Sequence, residues 1–157
     1  MISETCPFCK KEVIDTSFAT YSGFIAIYNH APIVPGHSLI IPLNHVTDIM
    51  ELSDTEFIDF FQFGKRVMQF LNAYFKTNEF DMSLQQGRNA GQSVDHVHLH
   101  LIPRKPFDLK PGEEWYHKMM EKEYKSLDSD KIISKSDLLS ISQKLRKSWE
   151  KYNAEVS

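Results

Sequence analysis

Asp95–Arg104 reads D-H-V-H-L-H-L-I-P-R, so His96, His98 and His100 alternate with Val97, Leu99 and Leu101. Side chains of an extended strand point alternately to its two faces. The spacing predicts a strand over Val97–Ile102, with three imidazoles on one face and the aliphatic residues buried on the other. Alternate side chains then lie about 6.5–7 Å apart, which suits convergence on one phosphate. Imidazole titrates near neutrality and serves as nucleophile or proton carrier. A histidine that attacks phosphorus splits one difficult displacement into two, through a phosphoramidate-type intermediate, while cationic neighbours stabilise the equatorial oxygens. From these residues alone a half-buried polar face and an all-histidine metal site stay open.

The segment feeding this strand is Gln85–Asp95, Q-Q-G-R-N-A-G-Q-S-V-D, a polar loop bracketed by Gly87 and Gly91. Glycines let successive backbone amides approach an anion closely, and the Ser93 hydroxyl can donate to the same group. Upstream, Phe80–Gln86 alternates, with Phe80, Met82 and Leu84 on one face and Gln85 on the other. A helix is expected from Ser53. Ser53 and Glu56 form a capping box, and Phe57, Phe60, Phe61, Val67, Met68, Leu71 and Phe75 recur at helical spacing.

Strands are expected over Ser17–Tyr21 and Phe24–Asn29, joined by a Ser22-Gly23 turn, and over His37–Pro42 after the Pro32/Pro35/Gly36 loop. In the tail, Ser136–Tyr152 carries Leu138, Ile141, Leu145, Trp149 and Tyr152 in steps of three and four, a helix. Glu113–Lys125 is a second candidate helix. This order gives an α+β fold with a mainly antiparallel sheet, one long helix and C-terminal helices.

At 157 residues and 41% hydrophobic content the chain suits one domain, residues 1–157, with a core over about 6–107 and a tail over 108–157. A net charge of −3 gives no general attraction to nucleic acid or anionic membranes, so any phosphate binding is local. No window approaches the ~20 apolar residues of a spanning helix. The N-terminus lacks an apolar signal core, so a cytoplasmic location is the default expectation. In a reducing compartment Cys6-Pro7-Phe8-Cys9 points to metal binding or redox chemistry rather than a structural disulfide. A thioredoxin-like βαβ context is missing. A tetrahedral zinc would need two further ligands. His30 is read as a solvated loop residue and His117 as surface, in a tail able to fold over the site as a lid.

AGQSVDHVHLHLIPR (Ala90–Arg104) and IYNHAPIVPGHSLIIP (Ile27–Pro42) resemble, in sequence, order and separation, the two defining blocks of the histidine triad superfamily of nucleotide hydrolases and transferases. The resemblance covers roughly residues 6–107. It implies the histidine triad fold, with a five-stranded sheet, and a homodimer formed by joining two sheets. Gln85, Pro103, Arg104, the EEWYHKM segment from Glu113 and the extra length are similar to the fragile histidine triad branch, which cleaves dinucleoside polyphosphates.

The resemblance assigns His98 as nucleophile, His100 to the phosphate or scissile oxygen, and His37 behind the site, supporting the nucleophile. Gln85, Gly91, Gln92, Ser93 and Val94 would hold the phosphates and leaving group, Asn29 the ribose. Ile27 and Leu39 either floor the base pocket or are plain core. Bacterial members pair such cysteines with two histidines that correspond to His45 and His96, a closed Cys2His2 set for structural zinc. Mg²⁺ is expected only with the polyphosphate. Two alternatives remain: nucleoside phosphoramidate hydrolysis, and a nucleotide-binding signalling protein with slow turnover.

Overall fold

The computed structural model describes residues 3, 5–110, 112 and 132–156. The expected helix over Glu113–Lys125, with His117 and the EEWYHKM segment, lies outside them. Five strands form one sheet in the order β1-β2-β3-β5-β4: β1 Ala19–Tyr21, β2 Phe24–Tyr28, β3 Ser38–Pro42, β4 Glu79–Leu84 and β5 Leu99–Arg104. All four pairings are antiparallel. Ser22 and Gly23 both have positive φ, +48° and +85°. That is the two-residue hairpin turn whose twist matches the flanking strands, and it sets Tyr21 opposite Phe24.

Helix α2, Asp54–Phe75, begins at the expected capping box: Ser53 Oγ accepts from Glu56 N–H, and the Glu56 carboxylate accepts from Ser53 N–H. It lays Phe60, Phe63, Val67, Phe70 and Leu71 on one sheet face, where they meet Val97, Leu99 and Leu101. Each such side chain contributes roughly 1.5–3 kcal/mol by leaving water. Gly64 permits the close approach, since a Cβ there would lie 2.8 Å from Leu99 Cδ2. The C-terminal helix α3, Lys135–Val156, adds Leu145 and Trp149 to this core. The Trp149 ring meets Phe70 edge-on at 5.4 Å, and the Arg66 guanidinium lies over both Tyr21 and Trp149.

The other sheet face carries a smaller cluster, Ile25, Ile27, Leu39 and Ile41, packed against Phe8, Val13 and Ile14. Val13 and Ile14 belong to α1, Lys11–Asp15, a short helix absent from the sequence reading. One turn of KEVID is too short to show a period.

One expectation changes. β5 starts at Leu99, two residues later than the alternation predicts. Val97 N–H bonds to Val46 O at 2.8 Å and His96 N–H to Val94 O at 2.7 Å, so His96–His98 is held by a loop before β3 takes up the pairing at Leu99. The apolar face of β4 is only partly covered, Phe80 being 48% and Met82 38% exposed, because β4 ends the sheet.

Candidate functional site

The alternation of the histidine run survives despite the late start of β5. Val97, Leu99 and Leu101 join the α2 core. His96, His98 and His100 are all buried on the other side, where Phe8 meets the His96 and His98 rings edge-on at 5.8 and 5.4 Å.

Each imidazole is held differently. His98 Nδ1 lies 2.7 Å from its own neighbour's carbonyl, His96 O. A carbonyl only accepts, so Nδ1 carries the proton and Nε2 keeps its lone pair. For His37, Nδ1 accepts from Ile33 N–H at 3.2 Å. Its Nε2 therefore bears the hydrogen and donates to His100 Nδ1, 2.9 Å away. That leaves the hydrogen of His100 on Nε2, a buried atom with no protein partner. Burial pushes the pKa of His98 down, and burial followed by the charges of His37 and His98 pushes that of His100 well down. Both rings are neutral at pH 7. The chain Ile33 N–H to His37 to His100 thus offers a hydrogen-bond donor beside a neutral nucleophile.

These rings open onto a cavity of about 880 Å³, within the range of small-molecule sites. Asn29, His37, Ser93, Val94, His98 and His100 line it together, with Ile27 and Leu39 on the sheet. Asn29 Oδ1 accepts from Ala31 N–H, while its amide nitrogen lies 3.3 Å from His37 Nε2. The lining does not include Gln85, Gly91 and Gln92, which sit in the adjoining loop. There the Gln92 carbonyl accepts from Gly87 N–H at 2.6 Å, and Gln85 donates to Ser83 Oγ. Gln85 Oε1 and Gln92 Nε2 are buried without partners. His30 is exposed, as expected, but stands on the cavity wall. Sequence reasoning missed Phe8, whose only signal was its place inside the Cys-x-x-Cys. It read the tail as able to fold over the site but did not single out Ile132–Leu139, which form part of the cavity wall.

At the other end of the run, Cys6, Cys9, His45 and His96 bring one ligand atom each within 4.8 Å of one another. His96 Nε2–H donates to Pro42 O at 2.9 Å, which turns the Nδ1 lone pair toward Cys6 Sγ at 3.3 Å and Cys9 Sγ at 3.7 Å. His45 Nδ1 is 3.6 Å from Cys9 Sγ. Zinc bonds of about 2.3 Å to sulfur and 2.0–2.1 Å to nitrogen, at the tetrahedral angle, separate S and N by about 3.5 Å. The four residues fit that ion. Burial lowers the His96 pKa to about 4 and raises that of Cys6. A neutral imidazole is the form that ligates; the thiols would have to lose protons to the metal.

The HIT domain family's model matches residues 10–107. The chain is 37% identical over 106 residues to a bis(5'-adenosyl)-triphosphatase of Dictyostelium discoideum, covering 68% of this chain and 70% of that protein. It is 36% identical over 98 residues to an asymmetrical bis(5'-nucleosyl)-tetraphosphatase of Schizosaccharomyces pombe, covering 62% of this chain and 54% of that protein. The chain therefore spans about half the length of this second relative. Among solved structures, the diadenosine triphosphate hydrolase of Plasmodium falciparum superposes with a TM-score of 0.70 at 25% identity, over 90% of this chain and 79% of that one.

Proposed function

Since the chain belongs to the HIT family, we propose that it hydrolyses dinucleoside polyphosphates of the diadenosine tri- and tetraphosphate type through a nucleotidyl-histidine intermediate. The observation that carries this reading is the pairing of His98, whose Nδ1–H is fixed on His96 O, with His100, whose Nε2–H is unpartnered in the same cavity. The relatives' names support the substrate class.

In the first step His98 Nε2 attacks the α-phosphorus; the N–P bond forms as the bond to the leaving nucleotide's oxygen breaks, and that oxygen keeps the electron pair. His100 Nε2–H donates to a phosphate oxygen as charge gathers there, and His37 holds His100 in the donating tautomer. Water then attacks the phosphorus as the N–P bond breaks, its electron pair returning to His98 Nε2; the water's proton passes to solvent, and the nucleoside monophosphate and neutral His98 are released. Ser93 and Val94 face the phosphate path, Asn29 the ribose, and Ile27 and Leu39 the base. Gln85, Gly91 and Gln92 shape the loop amides and reach the phosphates or leaving group once substrate is bound. Mg²⁺ accompanies the polyphosphate. Cys6, Cys9, His45 and His96 would hold zinc, which fastens the N-terminus to the sheet. This reading includes a cytoplasmic homodimer: two free thiols suit a reducing compartment, and the β4 edge with exposed Phe80 and Met82 supports joining of two sheets. No helix among the described residues is long and apolar enough to cross a membrane.

Steady-state rates on diadenosine triphosphate, diadenosine tetraphosphate and adenosine phosphoramidate test the proposal. The expected result is the highest kcat/KM on a dinucleotide, with AMP as one product. A higher value on the phosphoramidate would replace it with the phosphoramidase reading. Binding without turnover of any of the three would leave the slow signalling reading.

A further inference from the structure

The cavity around His98 extends beyond the residues the family model matches, 10–107. Part of its wall is the lead-in and first two turns of α3, where Ile132, Lys135 and Leu139 line it. This segment is anchored. Ile133 and Leu138 pack against the main core, and Ile133 N–H donates to His30 O at 2.9 Å. Ser134 Oγ accepts from Asp137 N–H at 3.1 Å, which caps the helix start. With their neighbours tied down, Ile132 and Leu139 stay 39% and 44% exposed at the cavity. Ile27 and Leu39, by contrast, are only 4% exposed and belong to the separate cluster on β2 and β3. The cavity therefore has two apolar surfaces on different elements, Phe8 and Val13 packed over the buried Ile27 and Leu39 and, apart from them, Ile132 and Leu139 of the tail, with the histidines and Ser93 in the same lining. A mononucleotide has one base to bury; a dinucleotide has two. Exposed aliphatic side chains beside a cationic Lys135 match a flat base joined to phosphate.

We propose that Ile132 and Leu139, with Lys135 beside them, form the subsite for the second nucleoside of a dinucleoside polyphosphate, the one that departs with the leaving phosphate. This rests on the dinucleotide-hydrolase reading above. The tail after the family domain is then a specificity element for the leaving group, and the nucleotide transferred to His98 does not touch it.

Ile132→Ser and Leu139→Ser, singly and together in the full chain, test it through two constants: KM for diadenosine triphosphate and the competitive Ki of AMP, which fills the first subsite. The ratio of KM to Ki should rise about five- to thirtyfold in the double variant, and Ile132→Val with Leu139→Met should restore it. A ratio that does not change, whether both constants stay put or both weaken equally as from a merely structural role, overturns the subsite. If the wild type turns over diadenosine triphosphate and the ratio is flat, only the subsite falls. If the wild type does not turn it over, the hydrolase reading falls and takes the subsite with it.

Discussion

The two ends of the histidine run carry the same residue at the same spacing and are prepared for opposite tasks. At His96, Nε2 is tied to Pro42 O and Nδ1 faces two thiols. Two residues on, His98 has Nδ1 tied to His96 O and Nε2 left over, in the lining of the cavity. Which nitrogen is occupied by a backbone carbonyl decides which nitrogen is left to act: Nδ1 at His96, toward the proposed metal site, and Nε2 at His98, toward the cavity. Residue type and period do not distinguish the two; the carbonyl each ring meets does.

Breaking the cavity end alone should have the largest effect. His98→Gln is expected to lower kcat on diadenosine triphosphate by roughly 10⁴-fold or more, with zinc content by elemental analysis unchanged at about one per chain. A loss of zinc in that variant would show that the ends are not separable. Breaking the metal end should spread to both. Cys9→Ser, or a chelator, should remove the metal and lower Tm by on the order of 10 °C. It should also cut kcat about tenfold, because the His96 carbonyl that fixes the His98 tautomer moves with its ligated ring. Wild-type kcat after metal removal would contradict that link.

The smallest effect sharpens the comparison by pH. Burial holds the pKa of folded His100 well below 6.5, and His37 and His98 add to the shift. Its unfolded form takes up a proton near 6.5, so the unfolded state binds more protons and stability rises with pH. The contribution is fully present above about 6.5 and declines as pH falls below it. Tm should drop by about 3 °C per pH unit from this one group between pH 6.5 and 5.5. His100→Gln should make the slope shallower by that amount, and an unchanged slope would count against it.

Much of this was legible in the sequence because it rests on local rules. The H-x-H-x-H alternation, the Ser53/Glu56 capping box and the Ser22-Gly23 turn each act within a few residues, and each predicted its element. The start of β5 was misplaced because the Val46 carbonyl that holds Val97 is 51 positions away. The Cys6/Cys9/His45/His96 set came from family resemblance, since nothing in the spacing singles out His45. The tail was read only as able to fold over the site; which of its residues reach the cavity was not legible, because Ile133 N–H meets His30 O, 103 positions away, only through folding. The Gln85–Gln92 segment is the glycine loop expected, but the Gln92 side chain accepts from Gly87 N–H and the Gln85 side chain donates to Ser83 Oγ, and neither lines the cavity.

Gly64 faces the first residue of β5. With a hydrogen in place of a methyl, α2 rests directly on Leu99, midway between His98 and His100. The helix backs the strand from the side opposite to both imidazoles. Any bulk added there would be transmitted along one residue of backbone to His98, and in the proposed reaction a displacement of its Nε2 by about 1 Å is worth roughly a hundredfold in rate.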